Sequence, residues 1–266
     1  MPTTPPIDGV PLAYTDTGHG TPVVLLHGFP LDRTLWDEQV AALGSRFRLI
    51  VPDLRGFGAS KAPPDPVSMD RFADDTASLL DHLRVRQAVI AGLSMGGYVA
   101  FAFARRHAPR ALGYVFCDTK AAPDSPEARA GRADLAELAL RHGMAPIADR
   151  MIPRLLAPSS LARPDLVDRV RRIILAAPVD GVRGALLGMA NRPDSTPTLQ
   201  TLRAPTLFIV GAQDTLSPPA EAGAMCDRVP GARRVVIPDA GHLSPLENPP
   251  AVNAALADFL DGLRTG

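Results

Sequence analysis

Two cysteines in 266 residues, Cys117 and Cys226, are too few and too far apart for a disulfide framework, and neither lies in a Cys-x-x-Cys or Cys/His spacing that would hold zinc. No metal and no cofactor is therefore expected. Excess charge is missing as well. Twenty-eight basic residues balance twenty-eight acidic ones, which leaves no electrostatic footprint for nucleic acid or an anionic membrane. The start, Met1-Pro2-Thr3-Thr4-Pro5-Pro6, has no basic region followed by an apolar stretch of signal-peptide length, and no apolar run reaches transmembrane length. These absences point to a cytoplasmic protein whose partner is a small molecule, and they leave its oligomeric state open.

What is present is enough chain to bury about three quarters of its unfolded surface, patterned in two ways. Up to residue 118, short apolar runs alternate with helix-period segments. Val23 to Leu26, Arg46 to Pro52, Ala88 to Ala91 and Leu112 to Cys117 read as strands covered on both faces, with Leu12 to Asp16 as an edge strand. Leu31 to Leu43, capped by Asp32, and Met69 to Leu83 read as helices, the second turning Asp70, Asp74, Asp75 and Asp81 to water. A proline-rich loop is expected from Ala62 to Pro66. Asp53 and Arg55, in a glycine-rich loop, read as loop-fixing partners.

From 119 to 198 helix-like groups follow one another without a strand, divided by nine prolines. The strand pattern returns at Thr206 to Gly211 and Arg233 to Ile237, with a helix expected between them from Pro219 to about Cys226. The expected architecture is α/β. A mostly parallel central sheet flanked by helices is built from residues 1–118 and 199–266, with 119–198 inserted as a helical cap. The cap carries twelve basic against nine acidic residues, which fits either an anionic substrate or an ordinary solvated surface.

One stretch concentrates the chemistry. Gly92-Leu93-Ser94-Met95-Gly96 interrupts an apolar strand and opens a helix, so Ser94 is expected on a sharp turn where its neighbours two residues away must be small. Glycine-rich strand-helix junctions also occur without catalysis, so other residues have to supply a base and an acid. His242 and Asp214 each follow a strand, and in parallel sheets the carboxyl ends of strands gather into one site. Imidazole is the side chain suited to take a hydroxyl proton near neutral pH, and a carboxylate on its far nitrogen fixes the tautomer. The expected triad is Ser94, Asp214 and His242, with the backbone N–H groups of Phe29 and Met95 as oxyanion donors. His27 reads as structural. Asp118, also after a strand, is the alternative acid; Asp214 is preferred because it lies in a Gly-x-x-Asp loop after the later strand.

Taken together, His27-Gly28-Phe29-Pro30, Asp53-Leu54-Arg55-Gly56-Phe57-Gly58-Ala59-Ser60, Gly92-Leu93-Ser94-Met95-Gly96-Gly97, Gly211-Ala212-Gln213-Asp214 and Gly241-His242 resemble the cap-bearing α/β-hydrolase superfamily over almost the whole chain. Within it the sequence is most similar to 3-oxoadipate enol-lactonases, small carboxylesterases and cofactor-free haloperoxidases or perhydrolases. The resemblance implies hydrolysis of a small carboxylic ester or lactone through an acyl-serine. Relatives that open epoxides or dehalogenate use aspartate where this chain has Ser94, and haloperoxidase-like relatives often have tryptophan where it has Phe29. Perhydrolysis or carbon-carbon hydrolysis by the same triad is the alternative activity, and a hydrolase-like ligand receptor the alternative class. Candidate substrate contacts are Trp36, Met144, Met151 and Met189, each of which also reads as core.

Overall fold

The computed structural model describes residues 2–61 and 66–263; residues 62–65 of the expected proline-rich loop lie outside them. Among the described residues seven strands form one sheet: β1 (Tyr14–Thr17), β2 (Pro22–Leu26), β3 (Arg48–Pro52), β4 (Ala88–Leu93), β5 (Ala111–Cys117), β6 (Thr206–Gly211) and β7 (Arg233–Ile237). Their spatial order is β1-β3-β2-β4-β5-β6-β7. Only β1 runs antiparallel. The continuous apolar runs of β2, β4 and β6 occupy interior positions, where helices cover both faces and an alternating pattern would bury polar groups. At the edge, β7 exposes Arg233 and Arg234.

Register carries the strand ends to one side. Leu26 pairs with Gly92, and Gly92 with Phe116; Cys117 then pairs with Ile209, and Gly211 with Ile237. The loops that follow these strands therefore start side by side, although more than a hundred residues separate β4 from β6 and β7.

Helices α1 (Asp37–Leu43), α2 (Met69–His82) and α3 (Met95–Arg106) belong to the first half of the sheet. The helix expected from Leu31 begins as a 3-10 turn, Arg33–Trp36, where the Asp32 carboxylate accepts from the Thr34 N–H at 2.9 Å. Asp75 is a correction. Instead of facing water it is buried, because α2 lies against the loop after β3. There Arg55 donates to both its oxygens, at 2.8 and 2.7 Å, and Arg71 adds a third bond at 3.0 Å. Asp53 accepts from the Arg33 and Ala59 N–H groups, which fixes the same loop.

Between β5 and β6 come α4 (Pro126–His142), α5 (Ala145–Leu155), α6 (Pro158–Leu161), α7 (Pro164–Ala176), α8 (Val179–Ala190) and α9 (Thr196–Leu199), with no strand among them. Pro126, Pro158 and Pro164 each open a helix, where the missing N–H has no intrahelical partner to lose. Pro153 instead lies inside the last turn of α5. The insertion is anchored to the sheet layer by Arg169, which bonds Glu38 and the Thr34 carbonyl, and by the Val67 N–H on the Gly184 carbonyl. Helices α10 (Pro219–Cys226), α11 (Ser244–Glu247) and α12 (Pro249–Gly262) complete the chain.

The core is continuous from sheet to insertion, with Phe116 stacked on Phe101 at 4.1 Å between ring centres and on Phe208 at 5.4 Å. Among the described residues no single helix is long and apolar enough to cross a membrane.

Candidate active site

Ser94 links β4 to α3 at φ 52° and ψ −108°, a left-handed backbone that a side chain adopts only under constraint. The constraint is local and steric. A Cβ on Gly92 would lie 2.1 Å from the Gly96 carbonyl oxygen, and one on Gly96 would lie 2.3 Å from that of Leu26. Hydrogen bonds complete it: the Ser94 N–H donates to the Cys117 carbonyl at 2.9 Å, and the Thr119 hydroxyl donates to the Ser94 carbonyl at 2.8 Å.

The loop after β7 brings His242 to this turn, where its Nε2 lies 2.8 Å from the Ser94 hydroxyl oxygen. On the other side of the ring Nδ1 lies 2.8 Å from Asp214 Oδ2. Asp214 is buried in the loop after β6, and its Oδ1 accepts the Leu216 and Ser217 N–H groups at 2.8 and 3.0 Å. Oδ2 is thereby left to the imidazole. Because a carboxylate only accepts, the proton belongs on Nδ1, and Nε2 is the acceptor for the Ser94 O–H.

Asp118, the alternative acid, does not reach the imidazole. Its Oδ1 accepts the Gly211 N–H at 2.7 Å, and the Ser244 hydroxyl donates to its Oδ2. Burial, reinforced by the charge of Asp214, pushes its carboxyl well above the ordinary range. It joins the ends of β5 and β6 to the start of α11. His27 is likewise a brace. It is fully buried, donates from Nδ1 to the Gly28 carbonyl and accepts the Leu54 N–H on Nε2, both at 3.0 Å; burial lowers its pKa.

The N–H groups of Phe29 and Met95 donate to no protein acceptor among the described residues. Met95 opens α3, where a free N–H adds to the positive end of the helix.

Ser94 and His242 lie in a cavity of about 590 Å³. Phe29, Tyr98, Leu135, Leu155 and Leu186 give it apolar walls, and Met151 and Met189 line it as well. Trp36 and Met144 are corrections. Trp36 is fully buried because its 3-10 turn directs it into the core, and Met144, just before α5, is buried in the same continuous core; neither lines the cavity.

Lys120, Arg132 and Arg154 also reach the lining, which helix periodicity does not identify. Burial acts to raise the pKa of Asp124, yet the net shift is downward because Arg132 and Arg192 both pair with it. Arg192 in turn covers the Tyr98 ring at 4.0 Å. Sequence could have found Tyr98, which lies one helical turn beyond Ser94 on the first helix of the site. The arrangement places a hydroxyl, an imidazole and a carboxylate in one hydrogen-bonded chain beside a cavity with both apolar and charged lining residues. Among the described residues no group of three or more His, Cys, Asp or Glu is placed to hold a metal ion.

A family model for the alpha/beta hydrolase fold matches residues 21–249. A thermophilic esterase from Thermogutta terrifontis, solved with malate bound, superposes with a TM-score of 0.95 at 50% identity, over 98% of this chain and 97% of that one. The 3-oxoadipate enol-lactonase 2 of Acinetobacter baylyi is 31% identical over 250 residues, 93% of this chain and 92% of its own. A bromoperoxidase from Bacillus anthracis superposes with a TM-score of 0.83 at 26% identity, over 95% of this chain and 96% of that one.

Proposed function

This chain belongs to the α/β-hydrolase family, and from that premise we propose that it is a serine hydrolase cleaving a small carboxylic ester or lactone. The observation that carries the reading is the unbroken chain from Asp214 through His242 to Ser94, with 2.8 Å at each junction and the serine open to a cavity.

In the first half-reaction Ser94 Oγ attacks the carbonyl carbon as its proton passes to His242 Nε2. The imidazolium so formed is stabilised by Asp214 across Nδ1–H. Negative charge on the former carbonyl oxygen is met by the Phe29 and Met95 amides, each worth about 3 kcal/mol in the transition state. Collapse of the tetrahedral intermediate breaks the C–O bond to the alcohol, which takes the proton from Nε2. A lactone keeps its alcohol tethered in the acyl-enzyme. Water then enters, gives its proton to His242, adds to the acyl carbon and releases the acid as Ser94 recovers its hydrogen. Residues 119–198 act as a cap, supplying Leu135, Met151, Arg154 and Met189 to the substrate's side of the cavity.

A fluorophosphonate read by intact mass tests the assignment. One adduct is expected on the wild type and none on Ser94→Ala; an unlabelled wild type, or a labelled Ser94→Ala, would sink it. The kinship with a bromoperoxidase adds one assay. Peroxide-dependent bromination faster than ester turnover would replace hydrolysis with perhydrolysis as the activity of the same three residues.

A further inference from the structure

The backbone around His242 is held from outside its own loop. Gly241 and Leu243 both donate their N–H groups to Oε1 of Glu247, at 2.9 and 3.0 Å, while the His242 N–H donates to the Leu155 carbonyl at 2.9 Å. The second oxygen of Glu247, Oε2, accepts the Ala157 N–H at 2.7 Å. Arg163 grips the carbonyl of the same residue at 2.8 Å. Leu155 ends α5, Ala157 precedes α6 and Arg163 precedes α7, so all three belong to the helical insertion. Contact is direct: a Cβ on Gly241 would lie 2.7 Å from the Ala157 nitrogen. One carboxylate, 5% exposed, therefore bridges the loop of the base and the insertion.

A carboxylate that merely capped the start of α11 would need only Gly241 and Leu243. The bond to Ala157, ninety residues away in sequence, and the return bond from His242 to Leu155 are not part of such a cap. We propose that Glu247 is a positioning residue: it holds the imidazole in line with Ser94 and Asp214, and it makes that alignment depend on where the α5–α6 junction is seated. The proposal rests on the reading of His242 as the base. Its physical basis is that proton transfer needs Nε2 within hydrogen-bond reach of the hydroxyl, and displacements on the order of 1 Å cost about 100-fold in rate.

Two variants of the full chain separate this from a role in folding alone. Glu247→Gln keeps the size but replaces one acceptor with a donor, so either the base loop or Ala157 loses its partner. Ala157→Pro removes the N–H that the insertion donates to the Glu247 carboxylate, leaving the Arg163 bond to the Glu247 carbonyl in place. The backbone there is compatible with proline, since Ala157 has φ −62° and Leu156 before it is extended at φ −108°, ψ 143°, and the ring Cδ takes the place of the N–H and displaces Oε2 of Glu247. Neither position lines the cavity.

With p-nitrophenyl acetate, each variant is expected to lose about 10- to 100-fold in kcat with KM within about twofold of wild type. The downfield proton resonance of His242 Nδ1–H is expected to move or broaden in both. Wild-type kcat and an unmoved resonance in a folded variant with a lowered Tm would overturn the proposal, leaving Glu247 a structural brace. Raised KM at constant kcat would overturn it equally. His242→Ala distinguishes the two levels. If that variant is active, the base assignment itself falls; if it is inactive while Glu247→Gln turns over normally, only the present inference falls.

Discussion

Gly92 and Gly96 face each other so closely across the turn that carries Ser94 that a Cβ on Gly92 would meet the Gly96 carbonyl oxygen at 2.1 Å. Backbone cannot yield there as a flexible side chain would. Gly92→Ala is expected to lower stability by about 3 kcal/mol or more, the upper end of overpacking costs, and to slow fluorophosphonate labelling of Ser94. A urea midpoint unchanged from wild type would show that the turn tolerates the methyl.

The 2.8 Å bonds on the two sides of His242 rank the triad variants. Ser94→Ala and His242→Ala should each reduce kcat/KM for a small aryl ester by about 10⁴-fold or more, and combining them should cost little extra because the groups act as one unit. Asp214→Asn, which allows the wrong imidazole tautomer, should lose about 10⁴-fold. Asp118→Asn, outside the hydrogen-bond chain, should stay near wild type in kcat. A larger loss for Asp118→Asn than for Asp214→Asn would exchange their roles.

Asp118 should reveal itself in the pH dependence of stability. Burial raises its folded-state pKa well above the unfolded value of about 3.9, so between those values the native state holds a proton that the unfolded chain has released. Stability from this group is complete below about pH 4 and is lost as pH rises toward the folded pKa. The amide introduced by Asp118→Asn has no such proton, yet it can accept from Gly211 and donate to Ser244. The variant is therefore expected to gain on wild type as pH rises above about 4 in thermal unfolding, and parallel curves would contradict the assignment.

Arg55 and Asp75 form a buried, doubly hydrogen-bonded ion pair between the loop after β3 and α2, at 5% and 2% side-chain exposure. Removing Arg55 leaves the buried Asp75 with Arg71 alone, and removing Asp75 leaves the buried Arg55 guanidinium without its carboxylate. Arg55→Met or Asp75→Leu alone should cost about 3–5 kcal/mol, while the double variant should cost clearly less than the sum. Denaturant unfolding of the two single variants and the double variant measures this, and additive losses would deny the coupling.

Much of the architecture is legible from residues 88 to 117 and 206 to 237. Buried parallel strands read as uninterrupted apolar runs, and α10 and β7 occur at the expected bounds. Helical periodicity misplaces Asp75 among solvent-facing aspartates, and only the position of Arg55 on a neighbouring loop makes its burial possible. Trp36 and Met144 are indistinguishable in sequence from cavity residues, since spacing reports a buried face without saying what lies opposite it. Helix α9 is invisible in the sequence for a related reason: it is only four residues long, too short to show a period.

Sequence by itself determined whatever depends on a few consecutive residues. Glycines on either side of Ser94 make a turn that larger residues would close, prolines open the helices of the insertion, and apolar runs commit segments to the interior of the sheet. These are steric and solvation effects with a reach of one or two turns. The meeting of Ser94 with His242, 148 residues apart, was decided by tertiary structure. So was the contact of Asp214, and not of Asp118, with the imidazole, together with the hold of Glu247 on both the His242 loop and Ala157. Each depends on strand order and register, which set which loop ends lie side by side and how far each carboxylate has to reach.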